Sequence, residues 1–266
     1  MKTVFRYPGG KTRILSRLLD IFRKNNISTY DIYAEPFVGG GSVALKVATE
    51  FPSMRIVVND KDEWISSFWE VIKSKDESYT LSEMVKEYTP NINLFYELRN
   101  TTPENVIDKA FYSIFFNRTT FSGILNAGPI GGRNQVSEWG IGCRFNSKYL
   151  SKTIIKIHEL LSGRLEVYNE DYTILLEKYD GSFFYLDPPY FVKGNSLYRE
   201  GMELTDHLIL ASSLEKMSNW VLSYDNCSDI REIYSWAHQE AIDSRYSIKG
   251  KKTGWKDSKE LVITKE

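Results

Sequence analysis

Phe184 to Tyr190 reads Phe-Tyr-Leu-Asp-Pro-Pro-Tyr, an apolar run delivered into an aspartate, two prolines and a tyrosine. Consecutive prolines fix φ and remove two backbone donors, so their carbonyls can be held rigidly as acceptors. Asp187 sets a carboxylate beside Pro188 and Pro189. Two adjacent acceptors match the two hydrogens of an exocyclic amine. The amine of adenine is a poor nucleophile because its lone pair conjugates with the ring. Drawing its hydrogens onto the Asp187 carboxylate and the Pro188 carbonyl would turn that lone pair toward an electrophile, with in-line positioning doing most of the work. Tyr190 can stack on the base, and a base inside a duplex reaches such a pocket only by flipping out. The plainer reading of these residues is a proline-rich turn after a strand.

A second constellation lies upstream. Phe37 to Ala44 contains Gly39-x-Gly41-x-x-Ala44, and Asp60 follows about twenty residues later, at the end of the next apolar run. Glycines let the backbone turn tightly and approach a ligand, and an acid at the end of the second strand can take both hydroxyls of a ribose. That geometry suits a dinucleotide and equally an adenosyl ligand such as S-adenosylmethionine, whose sulfonium methyl is an electrophile. The amine-gripping loop favours the latter, since a nicotinamide dehydrogenase has no use for Asp-Pro-Pro-Tyr.

A third stretch, Tyr7 to Thr12 (YPGGKT), ends like a phosphate-binding loop. The phosphate loop needs a glycine where Phe5 stands, and a strand ahead of it. Both are missing, so Lys11 sits before an amphipathic helix for another reason.

The elements that must carry these residues follow from periodicity. Lys11 to Asn25 has one helical apolar stripe. Asp31 to Phe37 and Arg55 to Asn59 read as strands flanking a helix at Ser42 to Glu50. Helical stretches at 64–74, 81–88 and 105–116 then give way to a long irregular piece from Phe116 to Asn146. Structureless segments of that length usually carry function. Strand and helix alternate again after Leu150, with strands at 165–169, 183–186, 220–224, near 241–248 and at 261–264. Helices fall at 152–161, 206–218 and 229–236. The reading is an α/β protein, a Rossmann-like methyltransferase sheet interrupted by a mainly helical insert. The catalytic, cofactor-binding part comprises 1–62 and 151–266, and the insert 63–150.

The order of these motifs resembles the Dam-like D12 group of DNA adenine methyltransferases, over essentially the whole chain: YPGGK, then EPFVGGGSVAL, then the insert, then LDPPY. The resemblance implies S-adenosylmethionine as cofactor, bound by Tyr7 (where the family has an aromatic, often tryptophan), Lys11, Glu35, Phe37, Gly39, Gly41, Asp60, Asp171 and Asp187. Lys11 would face the methionine carboxylate, Asp60 the ribose and Asp171 the adenine ring of the cofactor. Asp187, Pro188, Pro189 and Tyr190 would be catalytic. The partner implied is duplex DNA; a cognate restriction endonuclease is one further partner such an enzyme can have, and the sequence leaves solitary, restriction and phage settings open. Asn117-Arg118-Thr119-Thr120-Phe121-Ser122-Gly123 is similar to a family signature, and Phe95 to Asn100 (FYELRN) to a recurrent family segment. Asn117, Arg118, Arg133 and Arg144 are the expected DNA contacts of the insert, since arginine in a glycine-rich loop can read guanine or hold phosphate. Lys251 and Lys252, in a tail also carrying Arg245, Lys249 and Lys256, would face phosphates.

Composition bounds the alternatives. The chain has 266 residues, 42% hydrophobic and 26% charged, with a net charge of -1, which excludes an overall basic protein but not a basic face. Two distant cysteines, Cys143 and Cys227, give neither a disulfide framework nor a zinc site. His158, His207 and His238 lack ligand spacing, so no metal is expected. The N-terminal residues lack a signal peptide's apolar core and no run reaches the length of a membrane span, so a cytoplasmic location is expected. Three other functions compete. Methylation of cytosine N4 goes more often with Ser-Pro-Pro-Tyr, and methylation of a protein glutamine with Asn-Pro-Pro-Tyr. A DNA-binding module without chemistry would not need Asp187, Pro188, Pro189 and Tyr190 intact.

Overall fold

Seven strands form one sheet in the computed structural model, which describes residues 1–6, 10–191, 199–244 and 258–265. In chain order the strands are β1 (Ile32–Glu35), β2 (Arg55–Asn59), β3 (Leu165–Tyr168), β4 (Phe183–Leu186), β5 (Trp220–Asp225), β6 (His238–Ser244) and β7 (Ser258–Thr264). They lie side by side as β3-β2-β1-β4-β5-β7-β6. β1 to β5 are parallel, and β7 runs antiparallel between β5 and β6. The order reverses between β1 and β4. In open α/β sheets ligands bind beyond the carboxyl ends of the strands at such a reversal.

Strand periodicity sorts the side chains into two buried layers. Tyr33, Ile56, Val58, Phe183, Tyr185, Val221 and Val262 face one way. Ala34, Val57, Phe184, Leu186, Leu222, Leu261 and Ile263 face the other. The second face is covered by α8 (Tyr172–Lys178), α9 (Leu204–Lys216) and α10 (Ser228–Ile233). The first is covered by α1 (Leu15–Lys24), which follows a 3-10 turn at Lys11–Arg13, by α2 (Ser42–Glu50) and by part of the helical insert.

That insert comprises α3 (Glu63–Lys73), α4 (Lys75–Glu87), α5 (Ile92–Arg99) and α6 (Val106–Thr119), and α7 (Ser147–Leu161) leads back to the sheet. Its core is continuous with that of the sheet, because Phe68, Trp69, Phe111, Phe115 and Phe116 belong to the same buried cluster as Tyr33 and Phe183. His158 of α7 donates to the Ile72 carbonyl of α3 at 2.8 Å, tying the two helices.

Two local differences from the sequence reading have physical causes. α5 was not expected, since its eight residues show little periodicity, yet the Asn91 side chain caps it by accepting from Leu94 N at 3.0 Å. α6 runs on to Thr119, past the expected end at Phe116. Asn117 and Arg118 therefore belong to a helix rather than to the irregular loop.

Candidate active site

The glycine loop is built by backbone constraint and by a wall behind it. Gly41 has φ of +62°, and a Cβ there would lie 2.2 Å from Cζ2 of Trp69, so no other residue fits without displacing the indole. The same indole donates through Nε1 to the Gly39 carbonyl at 3.1 Å. α3 of the insert thus braces the loop. Asn59 fixes the carboxyl ends of three strands: its amide donates to the carbonyls of Pro36 (2.9 Å) and Glu170 (3.1 Å) and accepts from Glu170 N (2.9 Å).

Asp60 follows directly. One carboxylate oxygen accepts from Gly39 N at 2.8 Å and the other from Asp62 N at 2.9 Å. Burial, with Asp62 nearby, pushes its carboxyl up to about 7. Each oxygen retains a lone pair, so hydroxyl donors of a ligand would relieve the cost of holding this charge. Asp171 caps α8, accepting from Thr173 N at 3.1 Å, and also lines the cavity. Asp171 thus starts a helix and borders the cavity at once. Glu35 is buried, accepts from the Tyr33 hydroxyl at 2.7 Å, and is raised well above the usual carboxylate range by burial. Phe37 packs its ring 5.2 Å from Tyr172.

These residues border one cavity of about 370 Å³. It is lined by Lys11, Glu35, Phe37, Gly39, Gly41, Asp60 and Asp171 on the glycine-loop side, and by Asp187 and Pro189 on the β4 side. It opens where the strand order reverses between β1 and β4.

Asp187 leaves β4 with its side chain 24% exposed, and Pro188 behind it is buried. Lys11 is 2% exposed. Its ammonium lies 2.6 Å from Asp187 Oδ1, 3.0 Å from Glu260 Oε1 and 3.4 Å from the Tyr190 hydroxyl. Burial works against its charge, but Asp187 and Glu260 hold Lys11 well above its ordinary value. Burial raises Asp187 and Glu260 too, with Lys11 opposing the shift in each. The sequence reading put Lys11 against a cofactor carboxylate, whereas here its charge is taken up by two acids of the protein. The Tyr190 hydroxyl donates to Glu260 Oε2 at 3.1 Å, and Phe191 N donates to Asp225 at 3.0 Å, which fixes the end of the Asp-Pro-Pro-Tyr turn.

The expected DNA contacts divide. Asn117 is fully buried, accepting from Arg6 N (2.7 Å) and donating to the carbonyls of Arg6 (3.1 Å) and Gly123 (3.0 Å). It is a staple, not a surface donor, which corrects its reading as a DNA contact. Gly123 is required there: its φ is +79°, and a Cβ would lie 2.1 Å from the Arg6 carbonyl oxygen. Arg118 is half-buried and donates through Nε to the Val4 carbonyl at 2.6 Å, and burial lowers it to about 10. Arg133 and Arg144 are exposed, lying 5.5 Å from the Tyr96 ring and 5.9 Å from the Trp139 ring. Tyr7, Lys251 and Lys252, with Arg245, Lys249 and Lys256, lie outside the described residues.

Four supporting residues escaped the sequence reading. Trp69 and Asn59 looked like ordinary helix and strand residues. Glu260 sat unnoticed in the last strand. Arg99, the arginine of FYELRN, donates to the carbonyls of Leu125 (2.9 Å) and Ala127 (3.2 Å) and stacks 4.0 Å over Phe116, so it shapes the irregular loop. Among the described residues, no cluster of three or more His, Cys, Asp or Glu could hold a metal ion, and no helix is long and apolar enough to cross a membrane.

The chain is also similar to known proteins. The family model described as D12 class N6 adenine-specific DNA methyltransferase matches residues 7–248. The chain is similar to the Type II methyltransferase M.CviBI of Paramecium bursaria Chlorella virus NC1A, at 24% identity over 262 residues, covering 94% of this chain and 92% of the relative. It is similar to the Type II methyltransferase M.MjaIII of Methanocaldococcus jannaschii, at 26% over 214 residues, covering 71% and 69%. It is also similar to the Type II methyltransferase M1.LlaDCHI of Lactococcus lactis subsp. cremoris, at 22% over 278 residues, covering 97% and 93%.

Proposed function

The chain belongs to the D12 class of N6 adenine-specific DNA methyltransferases, and from that premise we propose how its residues share the work. The protein is a site-specific DNA methyltransferase that acts on the N6 amine of adenine. The methyl donor we assign is S-adenosylmethionine, held in the cavity beyond β1. Its fit rests on Asp60, a half-buried carboxylate raised to about 7 with lone pairs to spare for ribose hydroxyls. When bound there it supplies an electrophilic methyl group. Gly39 and Gly41 bring the backbone close, Phe37 and Asp171 flank the adenosine, and Glu35 closes the floor.

The single observation that carries the reading is that one cavity is walled by both motifs, the glycine loop with Asp60 on one side and Asp187 with Pro189 on the other. A target amine at Asp187 therefore stands next to whatever the glycine loop holds. Lys11 occupies Asp187 Oδ1, leaving Oδ2 to accept an amine hydrogen. The Pro188 carbonyl takes the second hydrogen, and Tyr190 stacks on the flipped base. As the new nitrogen–carbon bond formed, the sulfur–carbon bond of the donor would break and leave a neutral thioether, while positive charge grew on the amine facing the carboxylate. The amine would then pass one proton to the Asp187 carboxylate and from there to solvent, restoring a neutral methylated base.

We assign sequence recognition to residues 63–150, with Arg133 and Arg144 as base or phosphate contacts, and α3 also bracing the glycine loop. The tail lysines Lys251 and Lys252 hold the backbone. A cognate restriction endonuclease of the same recognition sequence is the protein partner this role calls for.

The test is direct. The purified protein is incubated with S-adenosylmethionine and unmethylated genomic DNA, and the nucleosides are analysed by mass. N6-methyladenine at a defined sequence is the expected product, lost by at least about 10²-fold in Asp187→Ala, comparable to deleting one preorganised electrostatic group. N4-methylcytosine, or a turnover in Asp187→Ala within a few-fold of the parent, would overturn the assignment.

A further inference from the structure

Glu260 lies in β7, followed by Leu261, Val262 and Ile263, all buried. It is itself only 3% exposed. Alternation along β7 puts it on the same face as Val262, within the layer that holds Tyr185 and Val221. Its register partners are Asp225 on β5 and Ile242 on β6. A carboxylate among such neighbours carries a desolvation penalty, offset only where its partners are well placed. The acid is nevertheless fully engaged: Oε1 lies 3.0 Å from the Lys11 ammonium, and Oε2 accepts from the Tyr190 hydroxyl at 3.1 Å. It is thus the group that joins the lysine of the first motif to the tyrosine of the last.

We propose that Glu260 is a positioning residue of the methyl-transfer site, sharing Lys11 with Asp187 and anchoring the Tyr190 ring through its hydroxyl. The proposal rests on the reading of Asp187 as the amine acceptor. With Glu260 present, Lys11 is divided between two acids, so its charge is not spent on Asp187 alone as the amine becomes cationic. With a neutral residue there, Lys11 would lean more strongly on Asp187, and the carboxylate would be a weaker acceptor. The second effect is geometric: the 3.1 Å bond from the Tyr190 hydroxyl to Glu260 helps set the plane on which a base would rest, and a change at Glu260 weakens that restraint. Both effects act on the chemical step, and neither touches Gly39, Gly41 or Asp60.

The experiment measures single-turnover methyl transfer from labelled S-adenosylmethionine to unmethylated bacterial genomic DNA, with cofactor and DNA affinities measured separately. The variants are Glu260→Gln, Tyr190→Phe, the double variant, and Asp187→Ala. Glu260→Gln keeps the shape and should slow transfer about 10-fold or more, with cofactor and DNA affinities within about 2-fold of the parent. Tyr190→Phe should slow transfer less, and the double variant should be no slower than Glu260→Gln alone, because the Tyr190 bond is one of the two contacts that Glu260→Gln already alters. Glu260→Asp should recover part of the loss. An unchanged rate in Glu260→Gln, a loss explained wholly by weaker cofactor binding, or losses that multiply in the double variant would each overturn the proposal. If the Glu260 variants do not fold, Tyr190→Phe reads the same bond from its other end, and an unchanged rate there overturns it as well. A fully active Glu260→Gln beside an inactive Asp187→Ala defeats this inference alone, whereas an active Asp187→Ala defeats the underlying reading.

Discussion

Lys11→Met places the heaviest load on the site as described, and its consequence depends on pH in a way that can be worked out. Lys11 is buried between Asp187 Oδ1 at 2.6 Å and Glu260 Oε1 at 3.0 Å. Methionine has similar length and no charge, so the substitution leaves two buried carboxyls without their counter-ion. Breaking a buried ion pair by removing one partner costs roughly 3–5 kcal/mol. For a domain of this size that is a fall in melting temperature of roughly 6–20 °C. The cost is not constant, because the orphaned acids can escape it by binding protons. Both already stand above their unfolded values, and loss of Lys11 raises them further. A raised acid binds more protons folded than unfolded, so stability falls as pH rises from the unfolded pKa through the folded one. Lys11 itself, raised above an already high value, stays charged throughout that window. The variant should therefore differ least from the parent at the acid end of the range and most at the alkaline end. Activity should be lowest where the acids are protonated and recover in part at alkaline pH. The assay is thermal or urea unfolding of both proteins from pH 5 to 8, paired with single-turnover rates. A destabilisation of the same size at both ends, or one under about 1 kcal/mol at pH 8, would refute the claim that Lys11 compensates two carboxylates.

Asp60→Ala should weaken S-adenosylmethionine binding by roughly 1.5–3 kcal/mol, a 10- to 150-fold loss by calorimetry, with DNA affinity unchanged. In the parent, affinity for the cofactor should fall as pH drops from 8 to 6, because the acceptor form of a carboxyl raised to about 7 is being depleted. Arg133→Ala or Arg144→Ala should relax the methylated motif at one position in base-resolved maps of genomic DNA, each bidentate guanine contact being worth about 1–3 kcal/mol. Arg118→Ala should instead lower the melting temperature and keep the motif, since that guanidinium is bonded to the Val4 carbonyl. Gly41→Ala should lose cofactor binding, as its methyl group would meet Trp69 in a left-handed backbone position.

Those contrasts mark where sequence reasoning stops. β2 and β4 occupy the expected residues, because short apolar runs closed by turn residues leave little freedom. The glycine loop and the Asp-Pro-Pro-Tyr turn were legible for the same local reason, since their backbone demands are written in residues that meet them. Asn117 was not. A polar residue near a helix end reads as a surface donor, and its true partners, the backbone of Arg6 and Gly123, depend on chain remote from it. Glu260 failed likewise: within β7 it is one acid beside a basic tail, and only the folded sheet brings it to Lys11. Periodicity reports which face a side chain takes, and says nothing of which distant group waits there.

The slot taken by β7 bears on how the enzyme is made. Synthesis proceeds from the N-terminus, and domains fold as units while the chain emerges. Yet β7, the last strand, lies inside the sheet, hydrogen-bonded to β5 on one side and β6 on the other. Until it arrives, two strand edges are bare and the acid that shares Lys11 is missing. A nascent chain can gather its glycine loop, its insert and its Asp-Pro-Pro-Tyr turn and still have an unfinished charge cluster. The charge cluster at Asp187 is therefore complete only once residues 258–264 have inserted between β5 and β6, so assembly of the site waits on assembly of the sheet.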